Sequence, residues 1–392
     1  MTDIPVHEAV SVNHPGRWLR RAVIPVIQIL VSVAIVGYLA YQASHSGALT
    51  ELARHEKRWG WLIVGGFCLA VGTSGTFFRW YRLLRSCGLM VSWRDTFRFS
   101  AVGFIANLAP LGMVGGDLLK AVLIARHQPQ RRADAITSVL MDRVIGLAAL
   151  FYVITLFAFL TGSVRWPGAE FRELWGQYRA GMLSAVPGEM LFQLLIWAAL
   201  ALTLIGTLAA TLVIWPRYTG GRLLLGWIGR IPGVGPKLGV MLESFESFGR
   251  RPLVLLESVL LAMMFHALFG IGTWCFTHGL LAESFGPVPQ LLMFSMANSS
   301  QVIPLPIGPL ELVLDLLYRW VPSALGGAVT MKAGDGLIIA ICYRMASAVF
   351  AVLLVPCWFL SRREVHEVRD EMARDEMAMD TTQDSSVTEP TG

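Results

Sequence analysis

Charge is scarce in this chain. Asp, Glu, Lys and Arg make up 15% of 392 residues, hydrophobic residues 55%, and the mean hydropathy is +0.57. A soluble globular domain carries far more charge, so lipid is the expected solvent. The five cysteines, Cys68, Cys87, Cys275, Cys342 and Cys357, show neither CxxC nor metal-ligand spacing and read as packing residues in or beside apolar runs. There is also no nucleotide loop, no nucleophile paired with a base and no metal constellation, which leaves little chemistry for an embedded enzyme. No cofactor, metal or nucleic-acid partner is expected.

Long apolar runs are plentiful. Runs able to cross the hydrocarbon as helices occur near 22–42, 60–81, 137–161, 191–215, 253–281 and 337–360. The first follows Arg17, Arg20 and Arg21, but it is too long for a signal-peptide core and reads as a retained anchor. At the other end, residues after Arg363 hold nine acids against two arginines, which predicts a short helical continuation and then a solvated acidic tail over 361–392.

Two further apolar stretches carry helix breakers at their centres. In 97–126, Asn107 precedes Pro110, Gly112, Gly115 and Gly116, then Asp117 and Lys120. In 288–319, Asn298 precedes Pro304, Pro306, Gly308 and Pro309, then Glu311 and Asp315. Proline removes a backbone donor and clashes with the preceding turn, and glycine weakens a helix, so each stretch is predicted to break inside the membrane. Backbone groups freed there need protein or water around them.

Basic residues decide between crossing and returning, because cytoplasmic connections carry the excess. If both stretches are re-entrant hairpins, nineteen Lys and Arg fall inside and eight outside; if both cross, the split is thirteen to fourteen. Hairpins are therefore expected. The predicted fold is an all-α polytopic membrane protein with about six spanning helices and two re-entrant hairpins.

With hairpins, the order helix, helix, hairpin, helix occurs twice in opposite orientation, an inverted-topology repeat. The first repeat covers 22–162 after a cytoplasmic N-terminus at 1–21; an extracytoplasmic loop at 163–189 leads to the second repeat at 190–360, interrupted by a cytoplasmic loop at 216–252. Asn107, Pro110, Gly112 and Asp117 are answered by Asn298, Pro304, Gly308 and Glu311, and each following helix carries an arginine, Arg143 or Arg344. Such repeats place a binding site at the midplane between broken elements, which favours transport.

Charged groups inside a bilayer are costly unless paired or wet. Two readings stay open for Asp117, Lys120, Asp142, Arg143, Glu311, Asp315 and Arg344. In one, Asp142 or Asp117 neutralises Arg143 and Glu311 neutralises Arg344, pinning hairpin to helix. In the other, the arginine forks engage an anionic headgroup, and Glu311 or Asp315, four apart on one helical face, binds a proton or coupling cation. Arg79, Arg82 and Arg85 with Trp80 and Tyr81 read as an aromatic and basic belt at the membrane surface. Glu257, His266, His278 and Gln193 read as helix–helix hydrogen-bonding residues. The loop containing Arg222, Leu223, Leu224 and Trp227 suits a helix lying on the surface, ended by Pro232, Gly233, Gly235 and Pro236.

The run N-x-x-P-x-G-x-x-G-G-D-x-x-K from Asn107 to Lys120, followed by S-V-x-x-D-R-x-x-G-L from Ser138 to Leu147, resembles the lysylphosphatidylglycerol synthase transmembrane region, also called flippase-like. The resemblance spans roughly 20–360 and implies handling of lipids or lipid-linked headgroups. It maps Asp117, Lys120, Asp142 and Arg143 to the first motif region, and Glu311 and Arg344 to the second hairpin and last helix. Pro306, Ile307, Gly308 and Pro309 depart from the more glycine-rich turn of relatives. The full synthase also carries a soluble aminoacyl-transferring domain, and only the acidic segment follows the last apolar run here. The leading expectation is a lipid flippase-like transporter of the cell membrane with both termini cytoplasmic. Its headgroup contacts are Arg143, Arg344, Lys120, Asn107 and Asn298. The alternatives are a membrane-embedded lipid-modifying transferase or a non-transporting scaffold.

Overall fold

A computed structural model describes residues 15–108, 113–165, 168, 172, 176, 188–214, 251–303, 305, 307–324, 331–364 and 367. Pro110, Gly112, Pro304 and Pro306, the surface-helix segment with Trp227, and the tail after 367 lie outside the described residues. Among those described the structure is helical, and six helices are long and apolar enough to cross a membrane. The chain is an integral membrane protein.

Helices α1 (Pro15–His45), α2 (Ala48–Arg54) and α3 (Trp59–Ser86) open the chain. The pair α4 (Trp93–Leu108) and α5 (Met113–His127) follows, then α6 (Arg132–Leu160) and α7 (Gly188–Ile214). After α8 (Pro252–Leu280) comes a second short pair, α9 (Pro287–Ser299) and α10 (Pro309–Ala324), and then α11 (Asp335–Leu360). The six spans lie on α1, α3, α6, α7, α8 and α11. At 1.5 Å per residue the four short helices, of 13 to 16 residues, are about 20–24 Å long, less than a hydrocarbon core of about 30 Å.

Local sequence sets these ends. Ser92 caps α4, its Oγ accepting the Asp95 N–H at 3.1 Å while its hydroxyl donates to the Asp95 carboxylate at 2.6 Å. Helices α8, α9 and α10 each start on a proline, where the missing N–H costs nothing. Gly88 and Gly162, with φ of +77° and +64°, close α3 and α6 by paired bonds from Leu89 to Leu84 (3.2 Å) and from Ser163 to Ala158 (3.0 Å).

Both short pairs are antiparallel. Phe99 and Asp95 at the start of α4 meet His127 at the end of α5, while Gly103 and Asn107 meet Gly116. In the second pair Gln290 near the start of α9 bonds Tyr318 near the end of α10 at 2.8 Å. In each pair the end of the second arm therefore lies beside the start of the first. The two are also interlocked: α4 packs on α11 and α9 packs on α6, so the first arm of each rests on the helix that follows the other. Between them α3 and α8 lie face to face, with Phe265, Phe269 and Phe276 over Gly75, Gly72 and Gly65.

Candidate functional site

The predicted charges sort into two groups, one beside each short pair. In the first, α5 brings Asp117 and Lys120 against α6, which carries Asp142 and Arg143. Arg143 pairs with Asp117 through Nε and the Oδ2 oxygen, and both side chains keep access, 43% and 26% exposed. Asp142 turns the other way. It receives Arg79 of α3 at 2.9 Å from Nη2 and 3.1 Å from Nε, and Lys120 Nζ at 3.5 Å.

The Asp142 end is closed to solvent. Arg79 is 5% exposed, Lys120 and Asp142 are 8% each, and the Lys120 ammonium sits 3.7 Å above the Trp80 ring centroid. Trp80 is held in place by its indole N–H on Ser138 Oγ at 3.2 Å. Among the described residues three cations thus face two carboxylates in this group, an imbalance that a low-dielectric site tolerates poorly.

In the second group Arg344 of α11 pairs with Glu311 of α10, through Nε to Oε1 and through Nη2 to Oε2 at 3.3 Å. Glu311 is 1% exposed and also accepts the Gly308 N–H at 2.8 Å. That bond is the reach of a third-position glutamate back to the cap of its own helix. Asp315 is fully buried: Gly334 donates to its Oδ1 at 2.7 Å, and Arg319 lies 3.2 Å from Oδ2. A carboxylate of α10 therefore sits on the N-terminus of α11, where the helix dipole favours it.

The matched asparagines serve differently. Asn107 Oδ1 accepts the Gly116 N–H at 3.1 Å and so ties the arms of the first pair, whereas Asn298 accepts from Gln301 within its own segment. At Gly116 the arms approach closely, because an added Cβ would stand 2.1 Å from the Gly103 carbonyl oxygen. Gly115 and Pro309 lie in the first turns of α5 and α10.

Arg79 is the member of the first charge group that sequence reading assigned elsewhere. It and Trp80 are buried rather than part of a surface belt; Arg82, bonded to Glu257 at 2.8 Å, and Tyr81, packed on Trp93, keep that outward role. The available signal was an arginine and an aspartate at similar depths in two apolar runs. His266 donates from Nε2 to the Gly146 carbonyl at 3.0 Å, and Gln193 donates to Ser163 O at 2.9 Å, as helix-tying residues do.

The family model described as lysylphosphatidylglycerol synthase TM region matches residues 26–355, which include every charged residue just described. The chain belongs to this family. No curated protein and no solved structure shows a match to it. Membership covers the membrane region, and the match ends at residue 355 within α11.

Proposed function

We propose that this protein is a flippase-like transporter that moves an anionic lipid or lipid-linked headgroup between leaflets, rather than a lipid-modifying enzyme. The observation that carries this reading is the charge imbalance at the first short pair. Among the described residues, Arg79, Lys120 and Arg143 face Asp117 and Asp142 alone, and the imbalance grades outward from buried Arg79 to accessible Arg143. A phosphate entering along Arg143 and Lys120 supplies the missing negative charge through forked, charge-assisted hydrogen bonds.

In this reading the α4–α5 and α9–α10 pairs are re-entrant hairpins of an inverted repeat. Their short lengths, antiparallel arms and reciprocal packing support it. Alternating access then rocks the hairpins against α6 and α11, with Asp117–Arg143 and Glu311–Arg344 exchanging partners as a headgroup passes. Asn107 and Asn298 line the breaks, and Asp142 and Asp315 hold charge or take up a coupling proton or cation. Both termini face the cytoplasm, as the count of basic residues favours.

The test is movement of fluorescent phosphatidylglycerol across proteoliposome leaflets, read by loss of signal to an impermeant quencher. Wild-type protein is expected to speed it, and Arg143→Ala and Arg344→Ala to slow it. If wild type leaves the lipid where it was, and neither substitution alters lipid binding or cellular lipid sidedness, the reading fails. Labelling of Gln130→Cys from the outer face would separately overturn the topology.

A further inference from the structure

The end of the first helical pair where α4 begins and α5 finishes is ringed by basic side chains: Arg94, Arg98, Arg126, His127, Arg131 and Arg132. Arg131 pairs with Asp134 at 2.8 Å and His127 stands 3.9 Å from Asp95, while Arg98 and Arg126 are occupied by Glu364 and Glu367 of the chain's own C-terminal segment. Arg98 Nη2 donates to both oxygens of Glu364, at 2.9 and 3.1 Å. Arg126 donates through Nη1 to Glu367 Oε2 at 3.2 Å and through Nη2 to its carbonyl at 3.4 Å. The last turn of α11 aims this segment, because Trp358 packs against the core cluster containing Trp80, Leu84, Leu123 and Ile124.

The same end carries the marks of headgroup depth. Trp93 is 38% exposed and lies edge-on to Phe78, Tyr81 and Phe97, with centroids 5.5–5.8 Å apart, the kind of aromatic belt found where a bilayer meets water. An open groove lined by Val71, Ser74, Phe78, Trp93 and Phe265 runs beside it and is almost wholly apolar, suited to an acyl chain. Arg94, next to Trp93, has no ion pair among the described residues.

We propose that this basic end binds the phosphate headgroups of anionic lipids, and that the acidic C-terminal segment occupies it as a tethered competitor. Carboxylate and phosphate offer an arginine fork the same planar pair of acceptors. The Arg98–Glu364 and Arg126–Glu367 pairs are partly exposed, and pairs of that kind are weak enough to exchange. The tether keeps the acids close, and the nine acids against two arginines beyond Arg363 add negative charge that an anionic leaflet repels. Lipid charge therefore sets how much of the segment is released.

The proposal concerns the surface and not transport, and its test measures no transport. Full-length protein is placed in nanodiscs of phosphatidylcholine alone, or with a third of that lipid replaced by phosphatidylglycerol. The rate of tryptic cleavage after Arg369 and Arg374 is then followed by mass spectrometry. Phosphatidylglycerol is expected to speed cleavage severalfold. Glu364→Gln with Glu367→Gln is expected to be fast already in phosphatidylcholine and to gain little from the anionic lipid. Arg98→Gln with Arg126→Gln is expected to be fast in both discs. Equal wild-type rates in the two discs would overturn the proposal. So would an Arg98→Gln/Arg126→Gln protein that responds to phosphatidylglycerol as wild type does, because the lipid would then act elsewhere.

Discussion

Arg79 of α3 grips Asp142 of α6 twice, through Nη2 on the carboxylate at 2.9 Å and on the backbone carbonyl at 3.1 Å. With Lys120 on the second oxygen, one carboxylate ties three helices together. Removing the negative charge from such a site strands two buried cations. Asp142→Asn is therefore expected to destabilise the protein by about 3–5 kcal/mol, the cost typical of breaking a buried pair from one side. Lys120→Met, which leaves Arg79 paired, is expected to cost less. Thermal unfolding followed by tryptophan fluorescence in detergent measures both, and an unchanged melting temperature for Asp142→Asn contradicts the assignment.

The two hairpin-to-helix pairs are predicted to respond differently to charge reversal. Asp117 lies beyond the first turn of α5, so Asp117→Arg with Arg143→Asp is expected to recover much of the stability that either single change loses. Glu311 also accepts the Gly308 N–H, and an arginine there would face the positive end of α10. Glu311→Arg with Arg344→Glu is expected to stay below wild type by roughly 0.5–2 kcal/mol, the range for a lost cap. Full recovery of this second double variant would show that the cap is dispensable.

Close approach at Gly116 gives a steric prediction. Gly116→Ala places a methyl 2.1 Å from the Gly103 carbonyl oxygen and 2.4 Å from Asn107 Oδ1, so the arms must separate. A loss on the order of 1–3 kcal/mol is expected. Gly66→Ala, where nothing lies within 4 Å, serves as the control and is expected to be neutral or mildly stabilising. Equal melting temperatures for the two variants would exclude tight contact between α4 and α5.

Outside the spans, Lys332 bonds the Glu51 carboxylate of α2, and that contact raises its pKa above the ordinary lysine value of 10.5. A raised folded-state pKa means the contribution is fully present below the unfolded value and is lost as pH climbs through the folded one. Glu51→Gln is thus expected to melt slightly below wild type at mildly alkaline pH, with the gap closing once pH passes well above 10.5. A gap that persists there would assign the effect to something other than this ion pair.

Much of the architecture was legible in the sequence. The apolar runs near 60–81 and 253–281 became α3 and α8, and the breaks after Asn107 and Asn298 fall where α4 and α9 give way to α5 and α10. Asp117–Arg143 and Glu311–Arg344 are among the partners that charge pairing alone had offered. What stayed hidden was the choice between Asp117 and Asp142 for Arg143, and the burial of Arg79. Asp142 and Arg143 are neighbours in sequence, but at 3.6 residues per turn they point about 100° apart, and so they meet different helices.

The sequence by itself determined that this chain lives in lipid, how many helices are long enough to cross it, and where two further stretches must break. Those outcomes depend on composition, length and local backbone chemistry, which each segment carries alone. Only the tertiary structure decided which cation each carboxylate serves, that one aspartate holds both Arg79 and Lys120, and that the C-terminal acids reach Arg98 and Arg126. Such pairings depend on the rotation and depth of helices distant in sequence, which packing contacts such as Phe265 over Gly75 fix after each helix has formed.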